Sequence, residues 1–226
     1  MNLFETKLND GKTVPVTQQQ VLAAWRKVRA AGGSGGVDGK SLIKVEENLK
    51  DELYKLWNRL ASGSYFPSAV KAVAIPKDGG RQRWLGVPTV LDRVAQQVVK
   101  DALEPELETV FHQDSYGYRP NKSAHDAVDK CRLRCLRQTW VVDLDIKGFF
   151  DNLDHDLLFK ALEKHVKEKW MLCYIERWLK ASVQHADGSI ESRQMGTPQG
   201  GVISPLLANL FLHYAFDKWM EKELPY

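Results

Sequence analysis

Two aspartates, Asp143 and Asp145, are the strongest local indication of catalytic residues in the sequence. They alternate within a predicted strand over residues 140–146, so their side chains should share one face. Asp145 lies at the end of that strand, where a carboxylate can hold Mg²⁺ and leave room for phosphate oxygens. The chemistry indicated is phosphoryl transfer assisted by two metal ions. The same Asp-x-Asp pattern also occurs in glycosyltransferases that bind nucleotide sugars, and many aspartates only cap turns.

A glycine-rich segment over residues 196–205 leads into a predicted helix. Free backbone N–H groups at such a junction can approach a phosphate or a base closely. Gln199, with Gly200 beside it, is predicted to project an amide at the mouth of the helix. Ser204 is the predicted N-cap, with Pro205 at the first helical position. A tight loop followed by an N-cap explains the segment equally well.

Basic residues cluster on a predicted hairpin, in which a strand ends at Pro76 and returns from Arg83 to Val87. Lys77 and Arg83, on facing strands, can clamp a triphosphate. The alternative is charge that protects an exposed sheet edge from pairing. A second basic cluster surrounds a predicted helix and suits either a polyanion or a solvated face. Its members are Lys130, Arg132, Arg134 and Arg137.

The elements that must position these residues follow from hydrophobic spacing and caps. A capping box of Thr17 and Gln20 begins a helix that extends to residue 31. Asp187-Gly188 is the strongest hairpin signal in the chain. Helices outnumber strands, which indicates an α+β fold. Further helices are predicted over 42–60, from Thr89 to Pro105, from Ser123, from Asp154, over 170–179 and from Ser204.

Composition sets broad limits. The 226 residues suffice for one large domain or two small ones, and 43% hydrophobic with 27% charged residues is ordinary for a globular protein. The formal net charge of +3 is mildly basic. No apolar run is long enough to cross a membrane, and no export signal is visible, so we expect a cytoplasmic protein. Its expected association with the nucleoid or a ribonucleoprotein is implied only by the resemblance described next.

Taken in order, these segments resemble the reverse transcriptases of group II introns, the maturase-type proteins. The resemblance extends from about Gly35 to Trp219. A retron or other bacterial reverse transcriptase is the nearest alternative, but the blocks at 36–39 and 117–120 favour the intron type. The matching blocks are residues 36–39 (GVDG), 75–88 (the hairpin), 115–125 (SYGYRPNKSAH), 145–150 and 197–209.

The resemblance implies a right-hand polymerase with fingers and an incomplete palm, rich in helices and with β-hairpins. Residues 1–36 would be an N-terminal extension, 37–138 the fingers, and 139–226 a partial palm with interleaved fingers elements. Asp145 would be the first catalytic, metal-binding aspartate, and the Ile146 carbonyl would contact one of two Mg²⁺ ions. The expected nucleotide-binding residues are Lys77, Arg83, Gln199 and Gly200, together with Phe149, or its neighbour Phe150, as the steric gate against a ribose 2′-hydroxyl.

The implied partners are group II intron RNA, an RNA template with a DNA primer, and dNTP, with no membrane. The family continues into a Tyr-Ala-Asp-Asp motif, and this sequence stops before it, so we expect a catalytically incomplete piece. An RNA-binding module is the second hypothesis. Apolar surface around Leu206, Leu210 and Phe211 is expected to be exposed and to favour a homodimer. Residues expected to contact RNA are Arg81, Arg119, Lys130, Arg132, Arg134 and Arg137.

Overall fold

The computed structural model describes residues 13–76 and 82–224. Within them the α-helices are α1 (Gln18–Ala31), α2 (Leu42–Glu47), α3 (Leu49–Ala61), α4 (Val90–Leu107), α5 (Ala124–Cys135), α6 (His155–Leu162), α7 (Lys169–Leu179), α8 (Ser204–Leu212) and α9 (Lys218–Glu223). The strands are β1 (Val70–Pro76), β2 (Gln82–Val87), β3 (Val183–Gln184) and β4 (Ile190–Glu191). A 3₁₀ turn spans Phe149–Asp151, and a π-helical turn spans His213–Asp217. The predicted α+β class is confirmed.

Both predicted hairpins form, and they share one mixed sheet in the order β2-β1-β3-β4. The β1–β2 hairpin is antiparallel, with Ile75 opposite Arg83. The β3–β4 hairpin closes around Asp187-Gly188, where the His185 amide donates to the Ser189 carbonyl at 2.9 Å. Strand β1 pairs with β3 in parallel. This pairing places the basic β1–β2 hairpin beside the β3–β4 hairpin, which precedes the glycine-rich loop.

Local capping chemistry starts several helices where the sequence predicts. Thr17 and Gln20 form the reciprocal capping box of α1, and Ser123 forms one with Asp126 at α5. Thr89 caps α4 and Asp154 caps α6 through their side-chain oxygens. These predictions succeed because each cap joins residues only three positions apart.

Three predicted helix boundaries are wrong. The helix expected over 42–60 breaks at Asn48, whose φ of −123° and ψ of 35° interrupt the helical path. Helix α4 continues past Pro105 to Leu107, because the proline lies in the last turn and Leu103 and Leu107 are buried on one face. Ser204 is the first residue of α8 rather than its N-cap, since its hydroxyl accepts a hydrogen bond from Thr197.

One contiguous apolar core joins the helices. It extends from Val14 to Leu210 and includes residues of α1, α3, α4, α6, α7 and α8. Leu206 and Leu210 are buried within it, and Phe211 packs against it, so the exposure predicted around these three residues is wrong. The helix α8 is therefore packed against the described core, and the domain boundaries expected from the sequence stay a prediction.

The strand predicted over residues 140–146 is also wrong. The segment has no regular structure, and Trp140, Val142 and Leu144 are exposed by 87%, 79% and 71%. No described strand pairs with it, and an extended segment without a hydrogen-bonding neighbour does not form a strand. The preceding helix α5 likewise has no buried residue. Exposed apolar surface therefore lies in this segment and not around Leu206, Leu210 and Phe211, and the homodimer expected from those three residues stays a prediction.

Helix length and polarity also bear on membrane contact. The longest described helix, α4, has 18 residues and carries charged side chains such as Asp92 and Lys100. Across the described ranges, no helix combines the length and apolar character that crossing a bilayer requires.

Candidate nucleotide-binding site

Three side chains from distant parts of the chain meet at one place. Arg83 on β2 donates from Nε to Oε1 of Gln199 at 2.6 Å. Gln199 in turn donates from Nε2 to Oδ2 of Asp151, at the end of the 3₁₀ turn, at 3.3 Å. The predicted proximity of the basic hairpin and the glutamine loop is thus present in the structure. Asp151, which the sequence indicates only as a turn residue, joins them.

Gln199 and Asp151 face a cleft of about 550 Å³. One wall is the β1–β2 hairpin, including Trp84. The other is formed by the β3–β4 hairpin and the segment after it, including His185 and Arg193. The cleft is therefore open between sheet and loop, and its lining combines an aromatic ring with polar and charged groups.

The glycine-rich loop is fixed to its surroundings through the backbone. The Gly196 amide donates to the Leu153 carbonyl at 2.7 Å, and the Thr197 amide to the Phe150 carbonyl at 2.7 Å. The Gly86 amide on β2 donates to the Gln199 carbonyl at 3.0 Å. These bonds join the loop to the 3₁₀ turn on one side and to the hairpin on the other, so the backbone of Gln199 is held in place.

Glycine is required at two of these contacts. At Gly196, φ is +77° and a Cβ would lie 2.5 Å from the Asp151 carbonyl oxygen. At Gly200, φ is +132° and a Cβ would lie 2.6 Å from the Gly86 carbonyl oxygen. A side chain at either position would meet backbone in a conformation that L-residues rarely adopt. Gly200 therefore shapes the loop, and its predicted contact with a nucleotide stays a prediction.

A buried glutamine holds the second half of the loop. Gln96 on α4 accepts hydrogen bonds from the amides of Val202 and Ile203, at 2.7 and 3.4 Å. The Thr197 hydroxyl donates to the Ser204 hydroxyl at 2.8 Å in a buried position. Both contacts stabilise the turn that precedes α8, and they account for polar side chains inside an apolar region.

Arg193 is a cleft residue that the sequence analysis misses. Burial lowers the pKa of its guanidinium, while the negative charges of Asp151 and Glu191 oppose that change. Within the described residues its side chain forms no hydrogen bond or ion pair, although it lines the cleft. Its position, three residues before the glycine-rich loop, could have marked Arg193 as a candidate. The direction in which its side chain points, however, depends on the fold.

Asp145 and Ile146 do not line this cleft. Both are exposed in the segment without regular structure, and no described hydrogen bond or ion pair involves the Asp145 carboxylate. Among residues 13–76 and 82–224, no group of three or more His, Cys, Asp and Glu side chains is arranged to hold a metal ion. The described residues therefore do not fit the predicted two-metal site as a complete ligand set.

The two candidate gate residues lie next to the loop. Phe149 contacts Phe150 and Phe211, with ring centroids 5.8 and 6.0 Å away. Phe150 holds the loop through its carbonyl, which accepts from Thr197. Both rings are half-buried, and neither lines the cleft. The choice between them as steric gate stays a prediction.

The remaining predicted cations have different surroundings. Lys77 and Arg81 lie outside the described residues. The Arg119 side chain is only 6% exposed, and its guanidinium donates to Glu108 and to the His112 carbonyl, while its contact with RNA stays a prediction. Lys130 and Arg134 both pair with Asp114. Arg132 and Arg137 are exposed, with no ion pair in the described chain.

The helix-rich fold with its small mixed sheet thus brings a cation of the β1–β2 hairpin into contact with a glutamine that lines a cleft, and a concave site with a few convergent polar groups is the usual form of a ligand-binding site. Residues 75–225 match the family model described as reverse transcriptase (RNA-dependent DNA polymerase). Because this match covers well over half of the chain, the protein belongs to the reverse transcriptase family.

Curated relatives agree with the resemblance to intron-encoded proteins. Protein YkfC of Escherichia coli K12 is 35% identical over 216 residues, which is 92% of this chain and 56% of that protein. The group II intron-encoded protein LtrA of Lactococcus lactis subsp. cremoris is 37% identical over 198 residues, which is 85% of this chain and 31% of that protein. The chain thus spans between about a third and just over a half of these relatives.

A solved structure supports the fold. A chain of the partial Cas6-RT-Cas1–Cas2 complex superposes with a TM-score of 0.57 at 24% identity, covering 91% of this chain and 34% of that chain. The fingers and palm architecture expected from the sequence is therefore confirmed at the level of fold.

Proposed function

We propose that this chain is the nucleotide-binding part of an RNA-dependent DNA polymerase of the group II intron type. The observation that carries the proposal is the hydrogen bond from Arg83 to Gln199, a residue that lines the cleft. This bond joins the basic hairpin to the glycine-rich loop, which are separated by more than a hundred residues. It places the Arg83 guanidinium and the Gln199 amide side by side. The partners proposed for the whole protein are an RNA template with its DNA primer, dNTP and intron RNA.

Arg83 and Gln199 have separate roles in nucleotide binding. The Arg83 side chain is exposed and donates from Nε to Gln199, and its two terminal nitrogens have no partner among the described residues, so we assign them to the oxygens of a triphosphate. Gln199, held between Arg83 and Asp151, presents its amide to the sugar or base. The anchored loop fixes that amide before the nucleotide arrives, so little ordering is needed on binding.

Catalysis requires more than these residues. Reverse transcriptases generally use Mg²⁺. Asp145 remains proposed as one ligand, with the Ile146 carbonyl beside it, but the described residues bring no complete ligand set around it. We therefore assign no chemical step to this chain alone. Nucleotide binding is therefore the activity proposed for the described residues.

Equilibrium binding of a fluorescent dATP analogue in Mg²⁺ buffer tests the proposal. Loss of a charge-assisted hydrogen bond is worth about 1.5–3 kcal/mol, so Arg83→Ala should weaken binding by roughly 10- to 100-fold. Arg26→Ala is the matched control, because Arg26 is exposed on α1 away from the cleft. Equal affinity of Arg83→Ala and the unmodified chain would contradict the proposal.

A second function, binding of RNA along α5, is favoured by one observation. This helix has no buried residue, and Arg132 on the helix and Arg137 just after its end are exposed and form no ion pair in the described chain. Phosphate contacts release counterions, so RNA affinity should fall steeply between 50 and 200 mM salt. Replacing both arginines by alanine should reduce the slope of log affinity against log salt by about two. An unchanged slope would remove α5 from the RNA-binding surface.

A further inference from the structure

Two cysteines lie side by side on the surface of α5. Cys131 and Cys135 are four positions apart, so their side chains are neighbours on one face of the helix. Their sulfur atoms are 3.9 Å apart, within hydrogen-bonding distance for thiols, and both residues are exposed. Neither residue belongs to the nucleotide site. The pair therefore presents two adjacent thiols to solvent.

The surroundings of the pair decide between two kinds of thiol chemistry. Structural zinc takes four cysteine or histidine ligands in a tetrahedral arrangement. Among residues 13–76 and 82–224, no group of three or more His, Cys, Asp and Glu side chains is arranged to hold a metal ion. The described residues thus offer two ligands where zinc needs four, whereas a disulfide needs only two thiols. The ligand count favours oxidation of the pair to a disulfide.

The position of the pair on the helix permits a bond between the sulfurs. Helix geometry separates Cα atoms four residues apart by about 6 Å, which is inside the range that disulfides span. The sulfurs must approach from 3.9 Å to about 2 Å. Cys135 is the last residue of α5, and the hydrogen bond that follows it, from the Leu136 amide to the Arg132 carbonyl, is 3.3 Å long. Closure therefore displaces only the last turn of the helix.

The charge around the pair is positive. Asp114, which pairs with Lys130 and Arg134, and Asp129, which precedes Lys130, offset two of the four cations nearby, so two positive charges remain in excess. A positive environment favours the thiolate, which is the reactive form of cysteine, and it attracts an anionic oxidant. The four cations, in a segment without acidic residues, are Lys130, Arg132, Arg134 and Arg137.

The two thiols are not equivalent. The hydrogen bond with Cys131 raises the pKa of the Cys135 thiol, and desolvation and the negative charge of Cys131 act in the same direction. Cys135 also lies at the C-terminal end of α5, where the helix dipole disfavours a negative charge. Cys135 therefore keeps its proton in the reduced pair and donates it to the sulfur of Cys131. This arrangement makes Cys131 the attacking thiolate and Cys135 the second thiol.

We propose that Cys131 and Cys135 form a reversible dithiol–disulfide site that is oxidised by a low-molecular-weight disulfide such as glutathione disulfide. The Cys131 thiolate attacks one sulfur of the oxidant, whose S–S bond breaks and releases one glutathione thiolate. Cys135 then loses its proton to solvent and attacks the Cys131 sulfur, which releases the second glutathione. The pair gives up two electrons and two protons, and the oxidant becomes two thiols. The closed bridge encloses Arg132 and Arg134.

The test incubates the folded chain in glutathione redox buffers, blocks free thiols with N-ethylmaleimide, cleaves before aspartates and weighs the peptides. The peptide over 129–142 contains both cysteines and no other. It should lose two hydrogens and escape alkylation, and dithiothreitol should reverse the change. Cys131→Ser and Cys135→Ser should instead each gain one glutathione, with Cys135→Ser reacting faster. Cys173, half-buried on α7, is the internal control and should remain alkylated.

Three results would overturn the proposal. The first is closure of the pair in urea but not in the folded chain, which would mean that α5 holds the sulfurs apart. The second is a stable glutathione adduct on the unmodified chain, which would show that Cys135 does not complete the exchange. The third is a disulfide from either cysteine to Cys173 or to a second chain. Thermal unfolding of both serine variants checks that the fold persists.

Discussion

Arg83 and Gln199, 116 positions apart, are joined by a hydrogen bond of 2.6 Å between Nε and Oε1. The bond connects the basic hairpin to the glycine-rich loop, and Asp151 extends it to the 3₁₀ turn that follows the predicted catalytic segment. A nucleotide entering the cleft would therefore meet a preformed pair of side chains and not two independent groups.

We expect Arg83 and Gln199 to act as one unit in nucleotide binding. Arg83→Ala and Gln199→Ala should each weaken dATP binding, and the double variant should lose less than the sum. Contacting residues show coupling of about 0.5–3 kcal/mol in such cycles. The measurement is the dissociation constant of the four proteins under one salt condition. Strict additivity would show that the pair does not cooperate.

Loop conformation should depend on Gly196. A methyl group there would lie 2.5 Å from the Asp151 carbonyl oxygen at a φ of +77°, so Gly196→Ala should cost about 1–3 kcal/mol of unfolding free energy. It should also weaken dATP binding, because Gln199 loses its fixed position. Urea unfolding measures the first effect. Gly117→Ala is the control, as a Cβ there meets no atom within 4 Å; equal effects of both substitutions would argue against the loop contact.

Asp92 should be a major contributor to stability. It is 4% exposed and accepts hydrogen bonds from the Tyr65 and Thr89 hydroxyls and the Ser68 amide. Asp92→Ala leaves buried donors without partners, at about 1–3 kcal/mol for each group, so a loss of roughly 3 kcal/mol is expected in urea unfolding. Asp129→Ala, at an exposed position on α5, should change stability by less than about 0.5 kcal/mol.

Stability should fall in mild acid because of His213. Burial lowers the pKa of this imidazole from its ordinary 6.5, with Lys218 and His165 acting in the same direction and Asp217 and Glu221 opposing. Near and below pH 6.5 the unfolded chain therefore binds more protons than the folded chain. The stabilisation that neutral His213 gives the folded state is present above pH 6.5 and is lost as the pH falls. The loss is at most about 1.4 kcal/mol for each pH unit. Burial raises the pKa of the neighbouring Asp217 above 3.8, which acts in the opposite direction at lower pH.

Urea unfolding at several pH values between 5 and 8 measures this dependence. His213→Gln should flatten the curve between pH 5 and 6.5, whereas His125→Gln, at an exposed position on α5, should leave it unchanged. A His213 variant that keeps the full dependence on pH would assign it to other groups.

Features that depend on neighbours in the sequence could be predicted. The caps at Thr17 and Ser123 and the turn at Asp187-Gly188 each involve residues a few positions apart, and all three form. The cation and glutamine of the site could also be named in advance, because their motifs are specific.

Features that depend on distant partners could not be predicted. Residues 140–146 alternate like a strand, but a strand also needs a neighbouring strand, which the described chain does not provide. Asp151 and Arg193 become cleft residues only through the sheet that places β4 beside the 3₁₀ turn. The pairing of Lys130 and Arg134 with Asp114 likewise depends on how α5 lies against the loop after α4, and spacing along the helix contains no sign of it.

Photo-crosslinking with 8-azido-dATP in Mg²⁺ buffer, followed by mapping of the modified peptides, tests the central claim most directly. The account predicts modified residues in β2 and in the segment over 192–201, competed by unlabelled dATP and strongly reduced in Arg83→Ala. Modification confined to other parts of the chain, or unchanged in Arg83→Ala, would contradict the assignment of the cleft as the nucleotide site.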